Sequence, residues 1–124
     1  MPRVEVVFYR DTRGDVPLVE WLDRLPSKAQ DKCLAAVSRL EVMGHDARRP
    51  LADYLRDGIY ELRVRLGTIN YRLLYFFHGR TAIVLTHGLT KEQTVPAREI
   101  ELAIDRRRRF LDDPPKHTFA PEMD

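Results

Sequence analysis

The chain has 124 residues, 44% of them apolar, which suits one domain with one core and leaves too little for two. Its formal net charge of +2 does not by itself argue for a nucleic-acid partner, because affinity for phosphates depends on how many cations reach one surface. A single cysteine, Cys33, excludes an internal disulfide and a cysteine-based metal site, the four histidines lack ligand spacing, and no cofactor is expected.

Val4, Glu5, Val6, Val7, Phe8 and Tyr9 are mostly β-branched or aromatic and read as a first strand, closed by the turn-rich residues 11–15. Asp15 is placed to cap a short helix with Pro17 in its first turn, and Leu18, Trp21, Leu22 and Leu25 share one face of it. Ser27 with Gln30 three residues later forms a capping-box pattern, opening a longer helix whose stripe is Ala29, Cys33, Ala36, Leu40 and Met43. Residues 45–58 are polar, contain Pro50, and are expected to wrap toward a sheet with at most one turn of helix around Leu51 to Leu55. Three strands follow, near 59–66, 69–77 and 82–88.

Thr94 is placed to cap a last helix with Pro96 in its first turn, and Ile100, Ala103, Ile104 and Leu111 are expected as its apolar stripe. Beyond Asp112 periodicity is lost, so residues 1–111 are expected to form the domain and 112–124 a mobile tail. The order predicts an α+β layer fold: an antiparallel-rich sheet, an N-terminal helical hairpin on one face and a C-terminal helix. The first strand is expected at an edge or as a parallel neighbour of the last. No run approaches the roughly 20 apolar residues of a membrane span and no leader pattern is present, so a cytoplasmic location without membrane contact is expected.

Turn chemistry sets the register of the three strands. A two-residue loop at Gly67 and Thr68 places Arg63 opposite Arg72, and one at Gly79 and Arg80 places Arg72 opposite His87. Like charges facing one another are destabilising, and a row of Arg63, Arg72 and His87 makes sense if it meets a phosphate. A four-residue first turn would instead pair Arg65 with Arg72.

The runs Gly58, Ile59, Tyr60, Glu61, Leu62, Arg63, then Tyr71 to Phe76, then Thr86 to Lys91, followed by Pro96, Glu99 and Ile100, resemble the phage-derived HigB-like branch of the RelE/ParE toxin superfamily of type II toxin-antitoxin systems. The resemblance spans about residues 4–111 in element order and is specific in motif from 58 to 104. It implies a RelE-like microbial RNase-type fold, metal-independent endoribonuclease action on mRNA at the ribosome, and inhibition of translation. It also implies neutralisation by a helix-turn-helix antitoxin, through which alone DNA would be contacted. By position it carries the family's strand arginines onto Arg63 and Arg72, and its basic residue after the last strand onto Lys91. The family's C-terminal catalytic aromatic or acidic residues are not evident here, which leaves the general base unassigned.

RNA cleavage of this kind needs the 2′-hydroxyl deprotonated, the phosphorane's charge stabilised and the leaving oxygen protonated. Arg63 and Arg72 suit the second task and Lys91 the phosphate, while His87 titrates nearest neutrality and is the candidate acid or base. Arg65 and the run Arg106, Arg107, Arg108 and Arg109 are candidate RNA contacts, although the run is equally a solvated helix C-terminus favoured by the macrodipole. Tyr71 and Tyr75 alternate with Arg72 and belong on the opposite face. Two other classes remain open: a gyrase-binding ParE-like toxin without nuclease chemistry, and a non-catalytic remnant that binds only antitoxin or RNA.

Overall fold

The computed structural model describes residues 4–91 and 94–121, Lys91 by its backbone alone. The elements are β1 (Glu5–Tyr9), α1 (Pro17–Asp23), α2 (Ser27–Met43), β2 (Ala52–Arg56), β3 (Ile59–Leu66), β4 (Ile69–His78), β5 (Ala82–Lys91), α3 (Ala97–Asp112) and β6 (Thr118–Phe119), with a 3-10 turn at Gly44–Asp46. The six strands form one sheet in the order β2-β3-β4-β5-β1-β6. All neighbours are antiparallel except β1 with β5, the second of the two placements expected for the first strand.

Strand alternation divides the sheet between two cores. On one face Val6, Phe8, Leu62, Leu73, Tyr75, Ile83 and Leu85 pack with Leu18, Trp21 and Leu22 of α1 and Ala29, Cys33, Val37 and Leu40 of α2. On the other, Val7, Tyr9, Ile59, Leu74, Phe76 and Val84 meet Ile100, Ala103 and Phe110 of α3. Both N-terminal helices therefore cover one face, α1 resting on β5 and α2 on β3. Gly88 of β5 allows the closest approach, since a Cβ there would lie 2.2 Å from the Trp21 ring. Among the described residues no helix is long and apolar enough to cross a membrane.

Several local expectations are corrected. Val16 rather than Asp15 precedes α1, with no side-chain cap, and it is the Asp11 carboxylate that accepts from the Arg13 and Asp15 amides at 2.9 and 3.0 Å. Pro17, lacking an N–H, reduces the need for a cap. Ser27 is inside α2, after Pro26, and Gln30 instead donates from Nε2 to the Leu22 carbonyl at 2.7 Å, satisfying the end of α1. Residues 52–56 form β2 rather than a helical turn, because Asp57 and Gly58, both at positive φ, close a tight hairpin onto β3. Phe110, not the exposed Leu111, ends the buried stripe of α3.

The segment expected as a tail from residue 112 carries a short strand at Thr118–Phe119. Thr118–Phe119 pairs with β1, Phe119 packs on Phe8, and the His117 ring stacks on Tyr9 at 5.3 Å between centroids. His117 donates from Nδ1 to the Arg10 carbonyl at 2.7 Å and is buried.

Candidate active site at the edge of β3

The first turn behaves as the glycine suggested: Gly67 and Thr68 form a two-residue loop, and Arg63 lies opposite Arg72. The second does not. The β4–β5 loop has three residues, His78 pairing with Ala82, and a bulge at Thr86 inserts one more before His87 pairs with Leu74. Two one-residue shifts preserve the face but move His87 along the strand, so Leu89 is the residue opposite Arg72. The row is thus Arg63, Arg72 and Leu89, with His87 one pair away on the same, α3-facing side.

A carboxylate relieves the repulsion between the facing arginines. Glu61, two residues back along β3 on the same face, accepts from Arg63 Nη1 at 2.7 Å on Oε2 and pairs with Arg72 Nε at 3.2 Å on Oε1. The Glu61 and Arg72 side chains are 6% and 7% exposed, that of Arg63 28%. Arg72 also donates from Nη1 to the Tyr71 carbonyl at 3.0 Å. Burial, then the charge of Arg63, weakens the hold of Arg72 on its proton, and Glu61 opposes both; a guanidinium so paired stays charged.

The cluster borders a cleft of about 320 Å³ lined by Arg49, Asp53, Leu55, Glu61, Arg63, Thr94 and Val95. Arg49 is tied to Asp53 at 2.8 Å, and Glu61 and Arg63 are the other charged residues of the wall, Arg72 pairing with Glu61 from beyond the lining. Arg63 Nη1 is the one side-chain donor of this residue that is engaged among the described residues, which leaves the rest of its fork to a ligand.

His87 belongs to a separate buried network. Its Nδ1 lies 2.7 Å from Thr86 Oγ1 and its Nε2 3.2 Å from Glu99 Oε1 on the first turn of α3. Desolvation, helped by the charge of Arg106, lowers its pKa to about 4 against the pull of Glu99. The ring is therefore neutral at pH 7, donating from Nε2 to Glu99 and accepting the Thr86 hydroxyl proton at Nδ1. Among the described residues no group of three or more acidic, histidine or cysteine side chains is placed to hold a metal.

The remaining sequence candidates are dispersed. Lys91 ends β5 opposite Asn70, and its side chain lies outside the described residues. Arg65 is exposed, donating from Nε to the Gly67 carbonyl at 3.0 Å. The α3 run is largely committed to the protein itself. Arg106 lies over the Tyr9 ring and reaches the Thr86 carbonyl, Arg107 lies over Phe76 and reaches the Asp57 carbonyl, and Arg108 and Arg109 both pair with Asp105. Tyr71 and Tyr75 lie on the opposite face, as alternation predicts. Sequence reasoning gave no role to Glu61 or Glu99. The signal for Glu61 was its position two residues before Arg63, which puts a carboxylate on the same strand face.

Comparison with known proteins gives the same direction as the motifs. Residues 20–108 match the model of the family described as phage derived protein Gp49-like. Over 97 residues the chain is 31% identical to the probable endoribonuclease HigB1 of Mycobacterium tuberculosis, in strains CDC 1551 and H37Rv alike, covering 75% of this chain and 76% of that protein. The chain belongs to the phage-derived Gp49-like family, within the HigB-like branch of the RelE/ParE toxins.

Proposed function

We propose that this chain is the toxin of a type II toxin-antitoxin system, with a RelE-like microbial RNase-type fold, and that it cleaves mRNA by metal-independent transesterification on the ribosome, so inhibiting translation. A cognate helix-turn-helix antitoxin would neutralise it and supply any contact with DNA. The observation that carries the reading is the Arg63, Glu61, Arg72 cluster on the wall of a cleft of about 320 Å³. Similarity to a probable endoribonuclease supports it.

In this mechanism the RNA 2′-oxygen, its proton passing to a base, attacks the adjacent phosphorus, the bond to the 5′-oxygen breaks and that oxygen takes a proton from water, leaving a 2′,3′-cyclic phosphate and a 5′-hydroxyl. The free donors of Arg63 take the non-bridging oxygens, where charge develops. Arg72 holds the Glu61 carboxylate, which lines the cleft beside Arg63 and is assigned as the base for the 2′-hydroxyl proton. Lys91 is assigned to the phosphate from its place at the end of β5. His87 acts at one remove, fixing Glu99 and the start of α3 against the sheet. Arg65 is assigned to the RNA backbone, Arg108 and Arg109 add positive potential at the end of α3, and Arg106 and Arg107 serve its packing.

The test is controlled expression in a bacterium of the wild type and Arg63→Ala, with 5′ ends mapped on translated messages. Arg63 is preferable to Arg72, whose loss would strand a buried carboxylate. Growth arrest with new cuts that vanish in the variant is expected. Arrest with intact messages would replace the nuclease reading with a gyrase-type target, and no arrest would leave a binding module.

A further inference from the structure

The sequence places its densest positive charge on α3, yet the structure also exposes a group of cations elsewhere, beside α2. Past Arg63, whose amide donates to the Leu51 carbonyl at 2.7 Å, no strand among the described residues lies beside β3 on the β2 side, and α2 packs against it. A cleft of about 350 Å³ lies there, lined by Lys32, Ala35, Ala36, Arg39, Pro50, Leu51, Arg63, Val64 and Arg65. Four of these residues are cations and none is an acid. Lys32, Arg39 and Arg65 are exposed, and among the described residues none has a carboxylate within ion-pair distance. Lys32 Nζ donates to the Arg65 carbonyl at 2.6 Å, which ties the α2 wall to the β3 wall.

Arg63 is shared: it lines this cleft and the one that holds Glu61. A ligand phosphate at Arg63 would therefore lie at the border of a cleft whose other cations are Lys32, Arg39 and Arg65. Contrast the run Arg106 to Arg109 on α3, two held over aromatic rings and two paired with Asp105. Charge that is already paired releases few counterions on binding, whereas unpaired cations spaced along a groove suit the repeated charge of a nucleic-acid backbone.

We propose that the cleft between α2 and the free edge of β3 holds the phosphodiester backbone of single-stranded RNA flanking the phosphate bound at Arg63, with Lys32, Arg39 and Arg65 as its contacts. The inference rests on the RNA-cleaving reading and adds the path of the strand. Because these contacts touch phosphates and not bases, they set affinity and salt dependence and leave sequence preference unchanged.

The experiment measures binding of the full chain to a fluorescein-labelled RNA with 2′-O-methyl riboses, which lacks the attacking hydroxyl, across a salt series. Wild type, Lys32→Ala/Arg39→Ala and Arg108→Ala/Arg109→Ala are compared, with thermal midpoints as a check on folding. The first double variant should weaken binding about tenfold and reduce the slope of log K against log salt by about 1.4, two single-strand phosphate contacts. The second should change the slope by less than half as much. Unchanged binding in Lys32→Ala/Arg39→Ala would overturn the cleft assignment while leaving RNA as the substrate. Absence of binding by the wild type would overturn both. A poly-glutamate peptide that binds the wild type through Arg39 where the RNA does not would assign the cleft to an acidic protein partner instead.

Discussion

Glu61 holds two arginines, and the two contacts should differ in energy in the direction opposite to their lengths. At an effective dielectric of 20, unit charges 2.7 Å and 3.2 Å apart attract by about 6 and about 5 kcal/mol, so distance alone favours Arg63. Exposure reverses the order. The Arg63 side chain is 28% accessible, and water and salt screen that pair toward the ~1 kcal/mol of a surface bridge. Arg72 and Glu61 are both under a tenth exposed, so removing either leaves a buried charge without its partner, at a cost of about 3–5 kcal/mol. Glu61→Gln should therefore lower stability by about 3 kcal/mol or more, roughly 10 °C in midpoint for a domain of this size.

The decisive assay is a pair of double-mutant cycles in urea, Glu61→Gln with Arg72→Leu and Glu61→Gln with Arg63→Leu. Coupling should be about 2–3 kcal/mol in the first cycle and under ~1 kcal/mol in the second. Replacing Glu61 and Arg72 together by Leu should recover most of the loss, since a buried pair exchanged for apolar groups is often nearly neutral. A coupling to Arg63 equal to or larger than that to Arg72 would refute the argument that burial outweighs distance.

Other outcomes follow from single features. His87, neutral in the fold with a pKa of about 4 against a reference value of 6.5, takes up its proton in the unfolded chain first; stability should fall by up to about 3 kcal/mol as pH drops from about 6.5 to about 4. His87→Asn should flatten that slope, measured by urea midpoints at each pH, and a slope that persists would place its origin elsewhere. Gly88→Ala should cost about 1–3 kcal/mol and shift Trp21 fluorescence, because the added Cβ would meet the indole at 2.2 Å; an unchanged midpoint would contradict the packing of α1 on β5. Truncation after Asp112 removes β6 and uncovers Phe8 and Tyr9, and should cost about 2 kcal/mol or more by thermal denaturation, whereas an unpacked tail would cost nothing.

What could be read from the chain depended on whether the controlling interaction was local. The hairpin at Gly67 and Thr68 is local, and with it the facing of Arg63 and Arg72. The displacement of His87 came from a bulge at Thr86, which has no glycine or proline to mark it and which places the Thr86 hydroxyl on the His87 ring. Asp57 and Gly58 did carry a local signal, the Asp-Gly pair of a tight hairpin, outweighed by the polar character of residues 45–58. The pairing of β6 with β1 joins residues more than a hundred positions apart, and two strand residues after a double proline give no period to detect. Phe110 and Leu111 are adjacent on α3, and which of them is buried depends on the helix's rotation over Phe76 and His78.

The arginines of this chain also show why sequence density is a poor guide to a binding surface. A guanidinium has five donors, and Arg72 uses Nε for a carboxylate and Nη1 for a carbonyl, which a lysine could not do in that planar geometry. Four successive arginines on one helix necessarily face four directions, about 100° apart. Two of them here must meet the sheet, and they do so over Tyr9 and Phe76, while the other two meet Asp105 one turn back. Strand alternation has the opposite consequence: Arg63 and Arg65 point the same way, 6–7 Å apart along an edge that no strand covers. On the RNA path proposed above, two arginines two residues apart on one strand face would therefore offer a phosphate chain more than four in a row on a packed helix.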